Sequence, residues 1–102
     1  MGTIQEHNYH DVVVDICKGR VEPEKVVVRP GDTVIFRGID EEDFFIFFKG
    51  KESPFRHARL CTCDGVVCAR VTARVEKETA YEYGLFLPGS DPIDPIIIVQ
   101  PW

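Results

Sequence analysis

Short apolar segments, many of them alternating with polar residues, recur about every ten residues along this chain. Residues 67–75 place valine and alanine on one face and cysteine, arginine and threonine on the other, which is the period-two pattern of a half-buried β-strand. Residues 44–48 are apolar at every position, so a strand there carries aromatic side chains on both faces. Over the whole chain the pattern predicts strands at residues 11–17, 25–29, 33–37, 44–48, 67–75, 79–87 and 95–100.

The residues between these segments predict turns and one long connection. Residues 30–32, Pro-Gly-Asp, suit a tight turn, and the Pro-Gly pair at 88–89 ends a later strand. We expect another turn at residues 18–20 and a long connection at residues 55–65. Residues 1–9 are polar and without pattern, which predicts a loose N-terminal tail.

Composition supports a β-rich fold. The chain has 102 residues, of which 22 are Val or Ile and only seven are Leu or Ala. Packed strands favour β-branched side chains, whereas a helical domain of this size uses more Leu and Ala. This length suits a single domain with one core, spanning residues 1–102. We therefore predict an all-β protein, a Greek-key β-sandwich of about seven strands.

Two parts of the sequence resemble the cupredoxin family. Residues 23–36 contain an apolar strand, a Gly-Asp turn and a second strand that ends in an aromatic residue, as the early strands of cupredoxins do. Residues 81–83, before the Pro-Gly loop, and residues 94–99, after it, are similar to the last two cupredoxin strands. The resemblance covers roughly residues 21–100 and implies a cupredoxin-like sandwich.

The resemblance also implies where copper ligands would lie, and the sequence does not provide them there. A type 1 copper site uses two His, one Cys and usually a distant Met, because soft ligands fit both copper oxidation states. Cupredoxins take the first His after the Gly-Asp turn and the other ligands from the loop between the last two strands. Here residues 38–48 contain no His, residues 84–94 contain no Cys, His or Met, and Met1 is the only methionine. We expect a cupredoxin-like protein that lacks the type 1 copper ligands and has no cofactor.

Four residues with metal-binding side chains lie close together in the sequence: His57, Cys61, Cys63 and Cys68. Three thiolates and one imidazole form a ligand set for zinc, and copper also takes soft ligands. The single residue between Cys61 and Cys63 differs from the two to four residues of common zinc knuckles. A metal- or redox-active protein centred on this cluster is therefore the alternative function.

The cysteines allow three other interpretations. A disulfide from Cys61 or Cys63 to Cys68 would close a turn around residues 64–65, although cytosolic thiols are usually kept reduced. Two of these cysteines would also suit a redox thiol pair. Free cysteines, with Cys17 among them, most often act as small apolar side chains.

No catalytic site is evident in the sequence. Ser53, His57 and Asp64 are neighbours in the chain, but nothing places a base against a nucleophile. A small hydrolase or ligand-binding protein that uses the loops around Ser53 and Asp91 is a third option. We expect the protein to be non-enzymatic.

Charge and hydropathy disfavour two classes of partner and indicate a compartment. The chain has 17 acidic and 12 basic residues, a net charge of −5, which disfavours binding to nucleic acid. No apolar run approaches the ~20 residues that a membrane-spanning helix needs, so we expect no membrane partner. Residues 1–7 lack the basic start and the apolar stretch of a secretory signal, so we expect a cytoplasmic location.

The chain has more apolar strand residues than one core requires. A sandwich strand needs a single apolar face, yet residues 44–48 and 96–99 are apolar on both faces. We therefore expect a non-enzymatic binding or assembly module that forms a homo-oligomer or binds a protein partner through an apolar sheet face. The alternative is that the N-terminal tail and residues 50–65 fold over that face.

Overall fold

A computed structural model describes residues 9–17, 20–39, 44–50, 52–62, 65–86 and 95–101. Within these ranges the chain forms nine β-strands, which are β1 (Asp11–Cys17), β2 (Arg20–Glu22), β3 (Lys25–Val28), β4 (Thr33–Gly38), β5 (Phe44–Phe48), β6 (Arg59–Thr62), β7 (Val66–Arg70), β8 (Thr79–Phe86) and β9 (Ile96–Val99). The same residues contain no helix that is long and apolar enough to cross a membrane.

The strands form two mixed sheets that pack as a sandwich. The four-stranded sheet has the order β2-β1-β4-β7, and the five-stranded sheet has the order β3-β9-β8-β5-β6. Strand β1 is parallel to β4, and β3 is parallel to β9, whereas the other neighbours are antiparallel. The chain crosses between the sheets after β2, β3, β4, β6 and β7. The predicted all-β Greek-key sandwich is confirmed, with nine strands among the described residues instead of about seven.

The two strands that the sequence pattern missed are short edge strands. Strand β2 includes Arg20 of the predicted turn, and β6 lies within the predicted connection at residues 55–65. Each strand buries one apolar side chain, Val21 in β2 and Leu60 in β6. One buried position in so short a segment is too little to show strand alternation in the sequence. The predicted strand at 67–75 ends early because the N–H groups of Thr72 and Ala73 donate to the Pro54 carbonyl instead of a strand partner.

The core lies between the two sheets and is centred on aromatic rings. Phe36 makes edge-to-face contacts with Phe55 and Tyr83, at centroid distances of 6.2 and 5.7 Å. Phe48 contacts the same two rings at 5.5 and 5.7 Å. The Tyr83 hydroxyl is buried and has no hydrogen-bond partner among the described residues.

A buried carboxylate holds the start of the described chain to the turn before β4. Asp32 is only 5% exposed, and its two oxygens accept hydrogen bonds from the backbone N–H groups of His10 and Arg29, at 3.0 and 2.9 Å. Thr33 N–H donates to the His10 carbonyl at 3.0 Å. Gly31 has a φ of +97°, and any Cβ there would overlap the Tyr9 ring that lies on it. Tyr9 is thus anchored, while the rest of the predicted tail lies outside the described residues.

Candidate protein-contact surface

Strand β5 carries aromatic side chains on both of its faces, as its sequence predicts. Phe44, Ile46 and Phe48 point into the core and are buried. Phe45 and Phe47 point away from the core and are 52% and 38% exposed. Two large rings therefore lie at the surface of the five-stranded sheet.

The strands on either side of β5 complete this surface. Phe45 pairs with Cys61 on β6, and Phe47 pairs with Arg59 on β6 and with Gly84 on β8. The Phe47 ring lies directly over Gly84, where any Cβ would overlap it, and this contact buries the glycine. We call Phe45, Phe47, Cys61 and Gly84 the aromatic patch.

Charged side chains border the aromatic patch on both sides. Arg59 is exposed on β6. On the other side, Lys49 Nζ lies 3.3 Å from Glu82 Oε1 of β8. Because both of these partners remain partly exposed, their ion pair contributes little to stability. The two strands that flank β5 thus carry side chains of opposite charge.

The segment that we considered as a cover for this face instead extends the sheet. Arg59–Thr62 pairs antiparallel with β5 as its edge strand. Nearer the start of the segment, Pro54 and Phe55 are buried, and Phe55 forms an isolated β-bridge with Val71, the residue after β7. The interpretation that residues 50–65 fold over the aromatic patch is therefore wrong for these residues.

The outer face of the four-stranded sheet is more mixed in character. Arg37 Nε donates to Asp15 Oδ1 at 2.8 Å across neighbouring strands. This hydrogen bond and the carboxylate charge together raise the pKa of the Arg37 guanidinium. Val13 and Val66 are exposed on the same face. An ion pair thus lies beside apolar side chains on this face as well.

The structure does not bring the described cysteines together. Cys61 is exposed on the outer face of the five-stranded sheet, whereas Cys68 pairs with Ile35 and is exposed on the outer face of the other sheet. Cys17, Cys61 and Cys68 are free thiols. Among the described residues, no group of three or more His, Cys, Asp or Glu side chains is arranged to hold a metal. Cys63 lies outside the described residues, so the four-residue metal cluster stays a prediction.

Of the residues considered for hydrolysis, Ser53 has a structural role in the described chain. Ser53 Oγ accepts a hydrogen bond from Phe55 N–H at 3.0 Å and donates one to the His57 carbonyl at 2.8 Å. The Ser53 hydroxyl therefore stabilises a local turn. The His57 side chain is exposed, and Asp64 and Asp91 lie outside the described residues.

Sequence reasoning missed Arg59 and Gly84 as parts of this surface. Arg59 lies on a strand that the pattern did not predict, and Gly84 lies inside a predicted strand, where it was not singled out. A glycine within a strand often marks the close approach of another group, so Gly84 could have been recognised as a possible contact position.

Comparison with known proteins supports the fold. No protein-family model and no curated protein sequence matches the chain. Among solved structures, the chain is similar to the Cu(I) form of a methionine-to-alanine variant of amicyanin, with 20% identity over 87% of this chain and 81% of that chain and a TM-score of 0.62. It is also similar to the reduced Cu(I) form, at pH 4, of a proline-to-glycine amicyanin variant, with 19% identity over 93% and 85% of the two chains and a TM-score of 0.62. The chain therefore has a cupredoxin-like fold.

Proposed function

We propose that this chain is a non-enzymatic, cupredoxin-like assembly module without type 1 copper, and that a second copy of the chain binds its aromatic patch. The observation that carries the proposal is the pair of exposed rings, Phe45 and Phe47, on β5, which lies next to the edge strand β6 of the five-stranded sheet. Adjacent exposed aromatic residues are characteristic of protein interfaces, since their burial removes a large apolar area from water.

The size of the face sets the expected affinity. In a pairing centred on β5, three strands (β6, β5 and β8) at about 4.8 Å spacing and five residues at about 3.4 Å rise give a contact of roughly 14 Å by 17 Å. This projected area is smaller than the roughly 800 Å² per partner of a standard stable interface. Burying four half-exposed rings, two from each copy, contributes about 3 to 6 kcal/mol before the entropic cost of association. The rings alone supply too little for a tight complex, so we expect a weak dimer with a dissociation constant on the order of 1 mM.

The charges around the patch favour a second copy as the partner. In a face-to-face dimer with its twofold axis along β5, β6 of one copy lies over β8 of the other. Those strands carry Arg59 and Glu82 respectively. Glu82 already pairs with Lys49 of its own chain at 3.3 Å, so Arg59 of the second copy would share that carboxylate with Lys49. Such complementarity fixes the orientation of the two copies more than it adds affinity.

Sedimentation velocity over about 5 µM to 1 mM tests this proposal. We expect a monomer–dimer equilibrium that the Phe45→Ser substitution weakens by about tenfold or more. The matched control is Val66→Ser, which removes an exposed apolar side chain from the other sheet and should leave the equilibrium unchanged. A monomer over the whole range, or a dimer that Phe45→Ser does not weaken, contradicts the proposal.

Charge reversal tests the orientation of the dimer. Arg59→Glu and Glu82→Arg should each weaken the dimer about threefold to tenfold, because each places like charges across the interface. The double variant should recover most of the lost affinity. Absence of this recovery contradicts the face-to-face arrangement.

The donor chemistry near the expected copper position supports the part of the proposal that concerns copper. In the cupredoxin arrangement the ligands follow β4 and lie between β8 and β9. Residues 39–43 and 87–95 of this chain offer carboxylates and a serine hydroxyl, and they contain no His, Cys or Met. Hard oxygen ligands do not make a type 1 copper site, so these segments do not fit that metal.

Metal analysis separates this proposal from the alternative function. After incubation with copper or zinc and removal of excess ion, we expect about 0.1 equivalent or less of either metal per chain. In denaturant, a thiol titration should detect all four cysteines. One tightly held metal per chain that is lost in Cys61→Ser and Cys68→Ser variants would instead support a metal site at His57, Cys61, Cys63 and Cys68.

A further inference from the structure

Strand β3 forms one edge of the five-stranded sheet. It is the first strand in the order β3-β9-β8-β5-β6, so β9 is its only partner in that sheet. The Ile96 N–H donates to the Glu24 carbonyl at 2.9 Å. In this parallel register, alternate residues direct both backbone groups towards β9, beginning with that carbonyl. The N–H and C=O groups of Lys25 and Val27 therefore point away from the sheet.

Among the described residues, nothing covers this edge. None of them forms a backbone hydrogen bond with Lys25 or Val27 on the side away from β9. The next outward position is closed, because Asp32 bonds the Arg29 N–H and carbonyl at 2.9 and 3.0 Å. The edge of β7 differs, since the chain beyond it donates two N–H groups to the Pro54 carbonyl. Four backbone groups of β3 are therefore available to another strand.

The outward side chains of β3 determine what such a strand would carry. Lys25 and Arg29 are exposed, and Val27 between them is 46% exposed. Directly opposite side chains of an added strand would lie about 4.5 to 5.5 Å from these three, measured between Cβ atoms. Opposite charges at that distance stabilise strand pairing and like charges destabilise it. The row favours an acidic, an apolar and an acidic residue at alternate positions.

Three carboxylates lie near this row in the sequence, and none forms an ion pair with Lys25 or Arg29. Glu22 belongs to β2 of the other sheet, where it is opposite Asp15. The Glu24 side chain is exposed, and Asp32 is buried with both oxygens accepting backbone hydrogen bonds. Both cations are therefore available for a cross-strand contact.

The same charges disfavour a second copy of β3 at this edge. An antiparallel pair centred on Val27 places Lys25 opposite Arg29 of the second copy. A shift by one residue leaves these cations at diagonal positions, about 7 to 8 Å apart. Positive side chains on an edge strand are a common protection against pairing between copies.

We infer that the edge of β3 binds an extended segment of another protein, in which an apolar residue lies between two acidic residues at alternate positions. The segment adds a strand to the sheet and forms up to four backbone hydrogen bonds with Lys25 and Val27. Its acidic side chains lie beside Lys25 and Arg29, and its apolar side chain lies beside Val27. Since β3 and β6 are opposite edges of the sheet, this binding does not depend on self-association at the aromatic patch.

Titration of the ¹⁵N-labelled full chain with three synthetic peptides, followed by NMR, tests the inference. The first peptide, acetyl-Thr-Glu-Val-Val-Val-Glu-Thr-amide, repeats the pattern of residues 25–29 with both charges reversed. The second has Lys in place of each Glu, and the third has Pro in place of the central Val, which removes a donor.

We expect the first peptide to bind about tenfold more tightly than either of the others. It should cause saturable shifts of the Lys25 and Val27 amides and slow their hydrogen exchange, because both gain an acceptor. Absence of these changes with the first peptide, or equal binding of the first and second peptides, overturns the inference.

Variants separate the backbone contribution from the charges. Val27→Pro removes an outward N–H without removing a bond to β9, so the chain should fold and bind the first peptide at least about tenfold more weakly. The Lys25→Glu, Arg29→Glu double variant should instead prefer the second peptide. The control, Arg70→Glu, reverses an exposed charge on β7 and should change neither affinity. Unchanged binding in a folded Val27→Pro variant, or an unchanged preference in the double variant, overturns the inference.

Discussion

Replacing Asp32 with alanine is expected to lower the free energy of unfolding by about 2 to 4 kcal/mol. The Asp32 carboxylate is buried and accepts hydrogen bonds from the backbone N–H groups of His10 and Arg29. Hydrogen bonds to a charged acceptor contribute about 1.5 to 3 kcal/mol each, and alanine leaves both donors without this partner. Denaturant unfolding at neutral pH, monitored by circular dichroism, measures the loss.

The matched control for this prediction is Asp15→Ala. The Asp15 carboxylate also accepts a hydrogen bond, from Arg37 Nε at 2.8 Å, but both side chains are substantially exposed. Exposed ion pairs contribute about 0 to 1 kcal/mol, so this variant should remain close to the original stability. Similar losses in the two variants would contradict the role of the buried Asp32 carboxylate. Asp32→Asn, which keeps one acceptor oxygen, should fall between them.

The second large effect is expected from Tyr83→Phe, and it has the opposite sign. Tyr83 is 1% exposed, and its hydroxyl has no hydrogen-bond partner among the described residues. A buried polar group without a partner costs about 1 to 3 kcal/mol, and phenylalanine keeps the ring contacts with Phe36 and Phe48. We expect the variant to be more stable by about 1 to 2 kcal/mol at neutral pH. A loss of more than about 1 kcal/mol would mean that the hydroxyl has a bonding partner, such as an internal water.

The same substitution should change how stability depends on alkaline pH. Burial raises the pKa of the Tyr83 phenol well above its ordinary value of 10.0. Above that ordinary value the unfolded chain loses the phenol proton while the folded chain keeps it, so stability falls as pH rises. One such group costs about 1.4 kcal/mol per pH unit until the folded pKa is reached.

Comparison of unfolding at pH 9, 10.5 and 11.5 tests this dependence. The stability difference between Tyr83→Phe and the original chain should widen above pH 10, because the variant has lost the titrating group. The control is Tyr81→Phe on the same strand. Burial and the nearby Glu52 charge raise the Tyr81 pKa as well, but Tyr81 is only partly buried, so its effect should be smaller. A constant difference for Tyr83→Phe across this pH range would contradict the prediction.

Local sequence pattern was sufficient for much of the fold because strand periodicity is a property of neighbouring residues. Alternation placed the faces of β1 and β7, and the uninterrupted apolar run of β5 required rings on both sides. The Pro-Gly-Asp turn and the Gly-Asp resemblance located β3 and β4. The sequence also shows directly which potential metal ligands are present after β4 and between β8 and β9, because ligand chemistry depends on residue type.

Tertiary structure decided which of these residues meet. Strand β6 forms because a four-residue segment pairs with the edge of β5. The sequence of the segment itself does not indicate that pairing. Cys61 and Cys68 are seven positions apart in the sequence, yet they lie on the outer faces of different sheets because the chain crosses between them. The Asp32 carboxylate accepts a hydrogen bond from the backbone N–H of His10, which is 22 residues earlier in the chain.

The sequence alone therefore determined that this is a β-sandwich with surplus aromatic surface, and that residues 38–48 and 84–94 contain no His, Cys or Met. Only the folded chain placed Arg59 and Glu82 on opposite sides of that surface and β3 at the edge of its sheet. The reason is physical: side-chain periodicity is local, whereas sites are made by strand pairing and chain crossings between residues that are distant in sequence.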